Sequence, residues 1–427
     1  MQADGTVHYR RDSVAAITFA GETMSQDRVR FLFLNLGHAY DHLFMLLFPT
    51  VVLALETEWG RPYSELLPLA LGGFIAFGAG AVPAGWLGDR WSRKHMLTVF
   101  FVGIGLASIG AGLAVGPITL AVALTAVGLF ASIYHPVGTA MVVQGVEDVG
   151  RRLGVNGVWG NLGVAAAALS AGALIQGFGW RAAFIVPGAV SVLTGLVFML
   201  VTPPPRTGAA VKRTAGAGSL RGLPPALIRV FIVLALTTIC GGLIFNATLV
   251  ALPKVFSVRL SGLASTTFGV AGLASLVYVF GAFAQIVVGH LLDRYSLRSI
   301  LMVVAGLQIP FLLAAASAHN LALLLVAGLM MLTVFGAIPI QDTLVARNTA
   351  DAWRSRIYAL KYLISLGIAS VAVPIVALVY GATGDFVWLF GLFAVLSLLI
   401  VGIGSFLPKG DAPLVAGLAA AGGGGGD

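Results

Sequence analysis

Apolar residues in this chain come in long unbroken runs, separated by short polar or Gly/Pro breaks. A membrane-spanning helix needs about 20 mostly apolar residues. Twelve runs reach that length, over residues 31–55, 64–88, 95–114, 118–143, 153–176, 181–201, 229–252, 264–292, 299–318, 321–345, 357–380 and 386–407. The tightest joints are the Gly116-Pro117 and His319-Asn320 turns. The pattern predicts an all-α membrane protein with twelve transmembrane helices.

The runs also repeat. The charged stretch GWLGDRWSRKHM, Gly85–Met96, returns in weaker form as GHLLDRYSLRSI, Gly289–Ile300. Gly85 and Gly289, Asp89 and Asp293, Pro49 and Pro253, and Gly163 and Gly367 are all 204 residues apart. Pro136 and Pro339, and Arg151 and Arg354, are 203 apart. Six spans repeated in one orientation predict two pseudo-symmetric six-helix bundles, related by an axis along the membrane normal, with a cavity between them. The chain then divides into a cytoplasmic N-terminal segment, 1–30, and an N-terminal bundle, 31–201. A flexible linker over 202–227 opens with Pro203-Pro204-Pro205 and leads to a C-terminal bundle, 228–407. The tail, 408–427, ends in GGGGGD and is expected to be disordered.

Charge placement gives the orientation. Of 25 Lys and Arg, only Arg61, Arg181, Lys254 and Arg259 fall on one side of the twelve spans. The rest lie on the side of the linker, which predicts both termini in the cytoplasm and a multi-pass protein of the cytoplasmic (inner) membrane. Composition agrees: 58% hydrophobic and 10% charged, against about 25% charged in soluble domains. The net charge of +8 sits in short loops and points to the bilayer, not to nucleic acid. One cysteine, Cys240, excludes an internal disulfide and a cysteine metal cluster. Residues 1–30 lack the short apolar core and small-residue cleavage site of a signal peptide, so the first span is expected to direct insertion. No phosphate loop is present, which argues against ATP-driven pumping and leaves no cofactor expected. A monomer is expected.

Ionisable groups inside spans are costly and point to function. Span 1 contains NLGHAYDH. His38, Asp41 and His42 stand at i, i+3 and i+4 and share one helical face. At 1.5 Å per residue, Asp41 lies about 15 Å from the inner end, near mid-membrane. A carboxylate beside two imidazoles can exchange protons near neutral pH. The same cluster, with His135 of span 4 as a fourth group, has the spacing of a metal site. HAYDH is not HExxH, and nothing else argues for hydrolysis, so an enzyme is not expected. In the second half, Asn246 is 204 residues after His42 and is placed at the symmetric cavity position. Tyr278, Gln285 and Gln308 are further polar candidates. Gln341 and Asp342 are expected at a gate or loop, and Lys361 is expected to extend to the inner surface.

The pattern Gly85-x-Leu87-Gly88-Asp89-Arg90-x-Ser92-Arg93-Lys94 resembles the loop between spans 2 and 3 of the major facilitator superfamily. Gly289, Asp293 and Arg294 stand where that family places its second copy. The resemblance implies that span 1 lines the central cavity and that the loops form a cytoplasmic gate. Gly85 and Gly88 are expected to press against the other half, and Asp89 to meet the start of span 11 near Ile357. Arg90, Arg93 and Lys94 are expected to hold the loop at the inner leaflet and to pair with Glu147 and Asp148. His38, His135-Pro136 and Gly160-Asn161-Leu162-Gly163 are similar to the branch containing the fosmidomycin-resistance exporters, which adds Asn161 to the pathway. The implied function is alternating-access secondary transport of a small molecule, coupled to protons and directed outward. Proton-coupled uptake of a small organic anion and transition-metal transport through the span 1 cluster are the alternatives.

Overall fold

The computed structural model describes residues 11–144, 149–202, 225–349 and 351–408. Among these, twelve helices are long and apolar enough to cross a membrane. The first six are built on α1 (Arg11–Trp59), α2 (Leu71–Arg90), α3 (Arg93–Gly112), α4 (Pro117–Ala131), α5 (Val149–Phe178) and α6 (Ala182–Val201), α4 crossing together with the turns that follow it as Pro117–Val142. The second six are α7 (Pro225–Arg259), α8 (Thr267–Leu292), α9 (Leu297–Ser317), α10 (Asn320–Asn348), α11 (Asp351–Thr383) and α12 (Val387–Gly404). A short helix, Tyr63–Leu66, and a 3-10 turn, Leu67–Ala70, lead into α2. A π turn, Tyr134–Gly138, follows α4. The helix of span 1 begins at Arg11, twenty residues before the apolar run, since no proline interrupts 11–30. The expected linker and tail fall almost wholly outside the described residues.

Packing follows the repeat. In the first half α1 packs on α5, α2 on α4 and α3 on α6; the second half repeats this as α7 on α11, α8 on α10 and α9 on α12. The halves meet through α2 with α11, α5 with α8, and α1 with α7. Rotation by the pseudo-twofold exchanges the first two pairs and maps the third onto itself, which is the relation a same-orientation repeat requires. Apolar burial cannot drive helices together in lipid, so close approach does. Gly105 and Gly188 show it: a Cβ on Gly105 would come 2.5 Å from the Gly188 carbonyl, and one on Gly188 would come 2.7 Å from the Gly105 carbonyl. Gly179 and Gly384 (φ 83° and 69°) turn the chain between α5 and α6 and between α11 and α12, in a left-handed conformation that suits glycine.

The repeated charged stretch acts first as helix punctuation. Ser92 caps α3, accepting from the His95 amide at 3.4 Å, and Ser296 caps α9, accepting from the Ser299 amide at 3.2 Å. The basic residues two positions on are also equivalent. Lys94 donates to the Thr202 carbonyl at the end of α6, and Arg298 donates to the Leu407 carbonyl beyond α12 at 3.1 Å. Cations suit helix C-termini, where carbonyls lack partners. Each copy therefore fastens its own half.

This changes the reading of the loop. A Cβ on Gly85 would meet Pro136 at 3.1 Å and one on Gly88 would meet Val137 at 2.8 Å. Both glycines face the π turn of their own half, whose wider coil fills the space beside α2. Gly289 has open space around it. The close contact between halves lies further along α2, where a Cβ on Gly78 would come 3.3 Å from the Leu366 carbonyl of α11. Asp89 pairs with Arg93 at 2.9 Å on the surface, and the Arg90 guanidinium lies 4.3 Å from the Trp86 ring centre. Asp293 and Arg294 are exposed. Glu147 and Asp148 lie outside the described residues. Lys361 is 6% exposed and pairs with Asp342. It does not extend to the surface, because the Asp342 carboxylate of α10 holds its ammonium.

Candidate functional site

The site is built where α1 and α5 close on the π turn. Helical spacing puts His38, Asp41 and His42 on one face of α1, and the π turn, often a mark of function, presents His135 to them. His38 Nδ1 lies 2.8 Å from the main-chain carbonyl of Asn156. A carbonyl only accepts, so Nδ1 carries the proton. The other nitrogen, Nε2, then carries the lone pair and accepts a hydrogen bond from His42 Nε2 at 3.2 Å. Gly160 leaves room for this imidazole: a Cβ there would come 2.7 Å from His38 Nε2. Gly163, one turn on, does the same for the Ala39 carbonyl. The two glycines of the Gly160–Gly163 motif thus let α1 lie against α5.

Asp41 is 0% exposed. His135 Nε2 is 3.2 Å from its Oδ2, within ion-pair range. The contact is outside hydrogen-bond geometry, and both Asp41 oxygens are buried without a hydrogen-bond partner. We read the pair as proximity without a formed bond, because direction decides hydrogen-bond strength. Nitrogens of His38, His42 and His135 lie within 4.8 Å of one another.

Two groups that the sequence reading passed over hold this arrangement. Asn156 Nδ2 lies 3.0 Å from Asn35 Oδ1 and 2.9 Å from the Tyr134 hydroxyl. The Tyr134 hydroxyl donates to the Leu34 carbonyl at 2.7 Å, and its ring stacks on His38 at 5.1 Å. The signal was a second amide in span 5, five residues before Asn161, which puts the two on different faces. Replacing Asn156 with leucine is expected to destabilise the protein by about 1–3 kcal/mol, since Asn35 loses a buried donor. Thermal unfolding measures this. His38 keeps its bond, because its acceptor is main chain.

The other candidates stand apart. Asn161 receives a bond from Gln285 of α8 at 3.3 Å and so links the halves. Asn246 donates to the Gly242 carbonyl of its own helix at 2.8 Å. Tyr278 donates to the Leu249 carbonyl at 3.0 Å, and Gln308 pairs with Ser397 at 2.5 Å. A cleft inside the second half, lined in part by Thr237, Gly241, Gln308 and Gln341, has no ionisable group in its wall.

At the end of the bundle away from the Gly85–Met96 loop, the halves are joined by charge. Lys254 Nζ of α7 donates to both carboxylate oxygens of Glu56 of α1, at 2.7 and 2.8 Å. The ammonium lies 5.5 Å from the ring centre of Tyr63 and 5.4 Å from that of Tyr380, and these rings meet edge to face at 5.4 Å. At the same end, between α11 and α12, Asp385 pairs with Arg259. Partial burial pushes its carboxyl up, but the Arg259 hydrogen bond and charge and the Phe386 amide outweigh this and hold it below the usual carboxylate range.

Comparison with known proteins gives this arrangement its family. Residues 36–284 match the family model described as Major Facilitator Superfamily. The puromycin resistance protein pur8 of Streptomyces alboniger is 32% identical over 141 residues, which cover 32% of this chain and 28% of that protein. The 4-hydroxybenzoate transporter PcaK of Pseudomonas putida is 30% identical over 155 residues, covering 35% and 34%. The chain therefore aligns with about a third or less of either relative's length. The crystal structure of a D-xylose-proton symporter superposes with a TM-score of 0.73 over 90% of this chain and 99% of that one, at 14% identity. A drug-resistance protein and an aromatic-acid transporter support the superfamily and do not single out the fosmidomycin-resistance branch. The chain is a twelve-span membrane protein that belongs to the Major Facilitator Superfamily of transporters, not to an enzyme family.

Proposed function

We propose that the chain couples movement of a small molecule to protons, with Asp41 as the proton carrier and His38, His42 and His135 as its exchange partners. The observation that carries this reading is the buried Asp41 carboxylate, without a hydrogen bond, facing His135 in the half whose first helix lines the seam. A charge so placed is costly, and protonation relieves the cost. Substrate binds between residues 31–201 and 228–407, and rocking of the two exposes it to each side in turn. The positive loops favour cytoplasmic termini in the inner membrane.

Export is the preferred direction, supported by the likeness to a puromycin resistance protein. Uptake of a small organic anion is the second reading, favoured by the likeness to a 4-hydroxybenzoate transporter. Purified protein in proteoliposomes, given puromycin or 4-hydroxybenzoate under an imposed pH gradient, tests both. Substrate flux opposite to the proton flux supports export. Flux with the protons supports uptake. Flux indifferent to the gradient removes the coupling.

A further inference from the structure

We propose that His38, His42 and His135 form a buried binding site for a divalent transition-metal ion of the zinc or cobalt kind. The inference concerns binding alone and stands whether or not the proposed coupling holds.

Spacing is the first argument. Imidazole nitrogens bind zinc at about 2.0–2.1 Å, and a tetrahedral angle then separates two of them by about 3.3 Å. His38 Nε2 and His42 Nε2 are 3.2 Å apart in a hydrogen bond whose proton an ion would displace, and nitrogens of all three rings lie within 4.8 Å of one another.

Orientation is the second. A metal-binding histidine commonly donates its other ring proton to a carbonyl or carboxylate, which fixes the ring and leaves the lone pair on the metal side. His38 does this through Nδ1 and the Asn156 carbonyl. Tyr134, stacked on His38 and bonded through its hydroxyl to Leu34, stops the ring from turning away.

Charge is the third. A divalent cation inside a helix bundle needs an anion beside it. Asp41 supplies one, with both oxygens buried and without hydrogen-bond partners, and Oδ2 lies 3.2 Å from His135 Nε2. From there it balances the charge of the ion and is near enough to serve as a fourth ligand. Three imidazoles with one carboxylate suit zinc, cobalt, nickel or copper and are poor ligands for magnesium or calcium.

The test uses full-length protein without a histidine tag, titrated with cobalt(II) and then zinc. One cobalt per chain is expected, with the visible absorption of a tetrahedral ion, displaced by zinc. His38→Ala, His42→Ala and His135→Ala are each expected to weaken binding at least about tenfold, as loss of even a supporting contact does. His95→Ala and His290→Ala, both at exposed positions, are expected to leave it unchanged. Zinc-edge X-ray absorption on the unaltered protein covers the case in which a variant fails to fold. Three imidazole nitrogens at about 2.0–2.1 Å support the site. No saturable binding, fewer than two imidazoles around zinc, or equal loss in His95→Ala overturns it.

Discussion

Asp41→Asn is expected to abolish pH-driven flux in proteoliposomes, down to the level of vesicles without protein, while leaving the protein folded. Asparagine keeps the size and shape of the side chain but has no proton to release. The carboxylate it replaces is fully buried without a hydrogen bond, so the native structure makes no bond that the substitution breaks. An ionised aspartate at mid-membrane costs about 2.5–3.5 kcal/mol on insertion scales; the amide removes that cost but brings that of a buried amide without partners, about 1–3 kcal/mol. Thermal unfolding is therefore expected to stay nearly level. Exchange of labelled for unlabelled substrate across the vesicle needs no net proton release and is expected to persist. Loss of pH-driven flux with exchange retained is the signature of a coupling residue. Retained pH-driven flux in Asp41→Asn would remove Asp41 from the mechanism, and loss of both activities would point to the substrate site instead.

The twelve spans and the repeat were legible in the sequence because they rest on composition and register, which survive without any knowledge of contacts. The cluster on α1 was legible for the same reason: i, i+3 and i+4 share a face in any helix. His135 could be paired with it only as a residue of span 4, and the π turn that aims it has no simple sequence mark. Contacts between distant segments were not legible. Gly85 and Gly88 were expected against the other half, yet they face Pro136 and Val137; small residues announce a close approach, not the partner. Lys361 was expected at the surface and is buried, paired with the more exposed Asp342, since a long basic side chain near a span end satisfies itself either way. Asn156 was missed for a related reason. Its main-chain carbonyl holds His38, and a main-chain acceptor has no side-chain signature.

Glu56→Gln is expected to open the end of the protein that Lys254 now closes. The pair joins α1 to α7 across the seam, and its side chains are 21% and 10% exposed. Removing one partner of a buried pair costs about 3–5 kcal/mol, because the remaining charge is stranded. Here that cost falls on the closed arrangement alone, since opening lets water reach Lys254. A shift of about 3 kcal/mol is roughly a hundredfold change in population. Ser64 reports it, because this half-buried side chain has its Cβ 2.9 Å from where a Cβ on Gly381 of the opposite half would stand, so parting the seam frees it further. In a Cys240→Ser background, Ser64→Cys is expected to react much faster with a bulky thiol reagent when Glu56→Gln is added. Tyr63 and Tyr380 hold Lys254 by their ring faces only, worth about 0.5–2 kcal/mol, too little to replace the carboxylate. The reversed pair, Glu56→Lys with Lys254→Glu, restores opposite charges at the seam and is expected to slow labelling again. Equal labelling in all three proteins would mean that packing, not charge, keeps this end shut.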